Sequence, residues 1–204
     1  MTYRKWKVGP AVCAAVALAL WPSVASAQSS RNGPALSPAL SATRAALDKY
    51  KDPMQAVRDG YFSTVACIEF HGEGAGHEHM NYKPGAMGVH FLNPATIGPK
   101  PDSLKPQVLL YEPVGDKLVL VGAEWFVPVA VSKMPPSIFG QTLVGPMEGH
   151  QPIMPESLHH WDLHVWLWKE NPNGVFSPTN SSVKCPASGY GYSFDDKPPK
   201  VVKP

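Results

Sequence analysis

The chain contains eight histidines, and they fall in two stretches: His71, His77, His79 and His90, then His150, His159, His160 and His164. Imidazole is the commonest protein ligand for zinc, copper, nickel and non-haem iron. Two stretches brought together by a fold could supply three or four ligands to one transition metal ion. The sharpest set comes from polar residues planted in apolar runs. His90 lies in Met87–Leu92, Glu124 in Leu118–Phe126, and His164 in His160–Trp168. An imidazole or carboxylate buried there is costly unless its polar atoms find partners. An ion held by His90, Glu124 and His164 meets that need. It makes a two-His-one-carboxylate site with open positions, a set used by non-haem iron and by catalytic zinc. No substrate or reaction follows from the set. The alternative is a non-catalytic exported binding or structural module. Its buried His and Glu are then only hydrogen-bonded, and Trp125, Trp161, Trp166 and Trp168 form a core or a ligand-binding cleft.

Further ligands are constrained by geometry. Strand alternation puts His160, Asp162, His164 and Trp166 on one face of their run, with Leu163, Val165 and Leu167 on the other. On a straight strand His160 and His164 are roughly 13 Å apart, so His160 joins the site only if the strand begins after it or bends there. The long loop from Ser132 to Met154 carries His150, which could enter from above. A second candidate is the glycine-rich stretch from His71 to Met80. His71, His77, His79 and the soft thioether of Met80 make it a candidate copper loop, set against a polar loop that binds nothing.

The elements that must position these residues are mainly β. Ser41 is expected to cap a first helix reaching Lys51, and Asp52-Pro53 to start a second that Gly60 ends. Strands are expected over 63–70, 87–92, 107–111, 117–127 and 160–168, the middle pair joined by a turn at 112–116. The fold class expected is a β-sandwich or a small barrel-like sheet with one or two N-terminal helices, stapled by one disulfide.

The N-terminus has the three parts of a secretory signal peptide: basic Arg4, Lys5 and Lys7, an apolar run from Ala11 to Trp21, and Ala25-Ser26-Ala27. The run is too short to span a bilayer, which takes about 20 residues. Cleavage after Ala27 removes 27 of the 204 residues and leaves 177. The expected organisation is a signal peptide at 1–27, a flexible lead-in at 28–40, one globular domain at 41–194 and a disordered tail at 195–204. Of 18 basic residues three lie in the peptide, which leaves 15 against 16 acidic ones. That near-neutral balance argues against nucleic acid or an anionic membrane as partner. A metal ion or small molecule is the expected partner, and the location expected is exported, periplasmic or secreted. Cys67 and Cys185 remain after cleavage. An even count in an oxidising compartment reads as a disulfide, with a pair of metal-binding thiolates as the alternative. The bridge would be worth about 4–5 kcal/mol by loop entropy.

No GxSxG elbow, phosphate-binding glycine loop, CxxC or HExxH motif occurs. Four segments carry a resemblance: residues 87–94 (MGVHFLNP), Leu110-Tyr111-Glu112-Pro113, Leu120-Val121-Gly122-Ala123-Glu124, and Leu163 through Lys169 to Asn171-Pro172. By these the chain resembles a family of uncharacterised exported bacterial proteins across most of residues 60–186. The resemblance implies export and a single domain and brings no activity. The His71 to Met80 stretch departs from the family pattern.

Overall fold

Two helix starts share one device. Ser37 and Asp52 each precede a proline, and each side chain accepts a hydrogen bond from a backbone N–H two or three residues on. Proline at the first helical position is pre-set for the helix and gives up an N–H that has no partner there. Helix α1 (Pro38–Leu47) therefore starts at Ser37-Pro38, ahead of the expected Ser41 cap, and runs on into a 3-10 turn at Asp48–Lys51. Its start also falls inside the lead-in expected at 28–40. Helix α2 (Pro53–Arg58) follows as expected.

The computed structural model describes residues 1–2, 36–72, 74–75, 81–149, 154–186 and 200–203. The chain divides into units 1–31 and 32–204, and everything below concerns the second. Residues 3–35, which take in nearly all of the expected signal peptide and most of the expected lead-in, lie outside the described residues. Among the described residues no helix is long and apolar enough to cross a membrane.

The strands are β1 (Phe62–Phe70), β2 (Gly74–Ala75), β3 (Asn81–Tyr82), β4 (Gly85–Leu92), β5 (Val108–Val114), β6 (Lys117–Pro128), β7 (Ser137–Ile138), β8 (Gln141–Thr142), β9 (Val144–Met147) and β10 (His160–Val165). Six of them form one antiparallel sheet in the order β1-β4-β5-β6-β10-β9. The sheet curls into a half-barrel, the barrel-like form of the expected fold class rather than a two-sheet sandwich. β2–β3 and β7–β8 are separate two-stranded ribbons.

Alternation gives the sheet two dissimilar faces. Val89, Phe91, Leu109, Tyr111, Ala123, Trp125, Leu163 and Val165 pack under the helices with Leu40, Leu47, Tyr50 and Ala56. Tyr111 Oη donates to the Tyr50 backbone oxygen at 2.6 Å, and Trp168 Nε1 donates to Asp48 at 2.6 Å, tying helices to sheet. The opposite face carries Val108, Leu110, Phe126 and Trp166 in one apolar cluster and Ile68, Phe70, Tyr82, Met87 and Met147 in another. The Cys67–Cys185 disulfide spans 118 residues and ties β1 to the chain beyond β10, which excludes the thiolate-ligand alternative.

Three expectations change here. The segment from Ser132 to Met154 is not one long loop: it contains the β7–β8 ribbon and the edge strand β9. The last strand ends at Val165 rather than Trp168, because the Trp166 N–H turns to the Val175 backbone oxygen. Residues 200–202 of the expected disordered tail pair with β9. Val201 bridges Met147, and the Val202 N–H donates to Pro146. This covers the otherwise open edge of the sheet.

Candidate metal centre

Three strands each deliver one ionisable side chain to the face away from the helices. In β6, Ala123 and Trp125 point under the helices, so Glu124 between them points the other way. Leu163 and Val165 do the same for His164 in β10. Glu124 and His164 are direct cross-strand partners, the closest placement a sheet offers. His90 comes from β4, two strands from β6. Its register partner is Leu110 in the intervening β5, while Glu124 pairs with Val108. Two strand spacings are roughly 9.5 Å in a flat sheet, a gap that two long side chains on the face of a curled sheet close.

Glycines admit this geometry. Gly88 has φ +87°, and a Cβ there would lie 2.4 Å from the Tyr111 backbone oxygen. Only glycine fits, and the β1–β4 ladder slips between Ile68 and Glu69, beside the Gly88 pairing. This irregularity turns Met87 onto the face away from the helices, Val89 under them, and His90 back toward Glu124.

Glu124 Oε2 lies 3.5 Å from His90 Nε2 and 3.6 Å from His164 Nε2. One ligand atom from each of the three residues falls within 4.8 Å of the others. The two imidazole planes are nearly perpendicular, at 84°, with centroids 6.4 Å apart. All three residues are at most 3% exposed. Glu124 Oε2 and His164 Nε2 make no hydrogen bond within the described structure.

Burial dictates the charge states. It pushes His90 down to about 4, against the pull of the Gly88 backbone. It pushes His164 down to about 3, with His90 and His160 adding to the effect. Both rings are therefore neutral near pH 7. Burial first, and the Asp162 charge second, holds Glu124 well above the usual carboxylate range. The His–Glu contacts lie within ion-pair distance, yet the buried charges are not favoured by their surroundings. A cation placed between them reverses that preference for Glu124 and keeps the imidazoles neutral and coordinating.

Of the residues singled out from the sequence, His90, Glu124 and His164 come together. His160 does not join them. It opens β10 on the same face, four positions from His164, with Nδ1 3.0 Å from the Leu158 backbone oxygen and its ring 4.6 Å from that of Phe126. β10 starts at His160, and the strand rise over four residues separates it from His164. His71 is exposed beyond the end of β1. His150, His77, His79 and Met80 lie outside the described residues, so the copper loop does too.

Two neighbours were not in the sequence-derived ligand set. Asp162 is 3% exposed and approaches the far side of His164, with Oδ2 3.7 Å from Nδ1. Burial holds its carboxyl up at about 7. Alternation already put it on the His164 face, which was the available signal. Tyr82, in the two-residue strand β3, donates its hydroxyl to Met147 Sδ at 3.8 Å. Burial, then the charges of Asp162 and Glu124, hold that phenol well above its usual range. No periodicity marks so short a strand.

Compared with protein families, with curated proteins and with solved structures, the chain finds no match in any of the three.

Proposed function

We propose that this protein binds one divalent transition metal ion between His90, Glu124 and His164, with zinc and iron the best-suited ions for two imidazoles and a carboxylate. The observation that carries the reading is spacing. Two ligands about 2.0–2.2 Å from a tetrahedral ion lie about 3.4 Å from each other. The Glu124–His90 and Glu124–His164 separations are 3.5 and 3.6 Å. These distances are long for hydrogen bonds and natural for atoms sharing an ion. An extracytoplasmic location and a metal ion or small molecule as partner belong to the same reading, supported by the disulfide.

The test is metal stoichiometry on untagged protein, stripped with chelator, reloaded with zinc, iron or copper, and desalted. About one equivalent is expected for the parent chain and for H160A, and loss of binding for H164A and E124Q. Less than about a tenth of an equivalent of every metal overturns the proposal. That result favours the competing reading, a metal-free knot of buried polar groups, which the ion-pair-range contacts also allow.

A further inference from the structure

We infer that the metal site is sealed: Phe70, Tyr82 and Met147 join the two outer strands of the sheet across it. An ion held there is then a structural staple between β4, β6 and β10, trapped until the Tyr82–Met147 contact opens. The inference deepens the metal-binding reading and rests on it for the ion, while one arm of its test needs no metal.

The seal follows from which residues touch. In the six-stranded sheet β1 and β9 are the outer strands, and β4, β5, β6 and β10 lie between them. Yet side chains of β1 and β9 belong to one buried cluster. The Phe70 ring at the end of β1 meets the Tyr82 ring edge-on, with centroids 5.8 Å apart. The Tyr82 hydroxyl donates to Met147 Sδ of β9 at 3.8 Å. Outer strands can be linked through side chains on one face only if the sheet curls toward that face. It is the face that carries His90, Glu124 and His164, and their strands are the ones this chain of contacts spans. Tyr82 lies close enough to Asp162 and Glu124 to feel both charges. Burial agrees: the three ligands are at most 3% exposed, and Phe70, Tyr82 and Met147 at most 2%. Met147 is pinned from both sides, by His160 of β10 and by Val201. Closed sites are those of structural ions, whereas a catalytic ion keeps a position open to substrate. The Tyr82–Met147 contact is the weakest link of the seal. A thioether is a poor acceptor on a flexible side chain, and β3 is only two residues long. Local opening therefore starts there.

Diethylpyrocarbonate, which acylates accessible imidazoles, reads the seal in metal-free protein, with each histidine followed by peptide mass spectrometry. In the parent chain His90 and His164 are expected to react at least about 100-fold more slowly than the exposed His71. In M147A both are expected to speed up by about tenfold or more, and in M147L, which keeps the bulk, to stay as in the parent. Y82F removes only the hydroxyl contact; a rise of about threefold is expected, and it serves if M147A does not fold. In zinc-loaded protein, release into excess chelator is expected to be about tenfold or more faster in M147A. The equilibrium affinity should stay within about threefold, because a gate changes entry and exit alike. His90 and His164 reacting as fast as His71 in the parent chain overturn the inference. So do unchanged rates in folded M147A, or in Y82F where M147A does not fold, and so does zinc release that changes by the same factor as affinity. If the two histidines are shielded in the parent and unshielded in the variant but no zinc binds the parent chain, the seal stands and the metal-binding proposal fails.

Discussion

Stripping the metal should invert the pH dependence of stability above neutrality, and the size of the effect follows from five buried groups. In the metal-free fold, burial holds His90 and His160 at about 4 and His164 at about 3, and holds Asp162 at about 7 and Glu124 well above its usual range. In the unfolded chain the histidines return to about 6.5 and the carboxyls to about 4. Between about pH 4 and 6.5, unfolding takes up a proton on each of the three histidines and releases one from each of the two carboxyls. The net uptake is about one proton, so stability rises with pH by about 1.4 kcal/mol per unit. Above about pH 6.5 the histidines drop out and only the release remains. Stability then falls, because the buried Asp162 and Glu124 carboxyls hold protons that the unfolded chain releases. The metal-free protein should therefore be most stable near pH 6.5. A bound divalent ion takes the place of the Glu124 proton, so the descending limb should be absent from the loaded protein. The assay is urea unfolding from pH 5 to 9 in chelator and in zinc, followed by the fluorescence of buried Trp125 and Trp166. A metal-free protein whose stability climbs steadily through pH 8 would refute the reasoning. It would show that the buried cluster holds no proton there that the unfolded chain lacks.

Two further outcomes test the scaffold. Gly88→Ala puts a methyl 2.4 Å from the Tyr111 backbone oxygen at a φ of +87°. It should cost at least about 2 kcal/mol by urea unfolding and weaken metal binding through His90, and a cost below about 0.5 would contradict the packing described. Removing the Cys67–Cys185 bridge, which closes 118 residues, should cost about 4–5 kcal/mol in a C67A/C185A variant. An unchanged urea midpoint would show that the bridge does not restrain the unfolded chain.

The sequence by itself determined the faces of one strand. Period-two alternation in 160–168 put His164 and Asp162 opposite Leu163, Val165 and Leu167, because a strand sends successive side chains to opposite sides; that His90 and Glu124 share that face was decided by the structure. The cost of burying such groups singled out His90, Glu124 and His164. Asp52-Pro53 announced α2, and two cysteines announced the disulfide. The sequence also put Asp162 on the His164 face, but the period says nothing of how near one face's residues come to one another. Curl, register and close approach are tertiary quantities. His90 and Glu124 meet across β5 in a curled sheet, and Gly88 fits against the Tyr111 backbone beside them. The same coordinates leave His160 against Phe126, bring Tyr82 in on a two-residue strand, and add Val201 to the edge at β9. None of these has a periodic signature, since each depends on contacts between residues far apart in the chain.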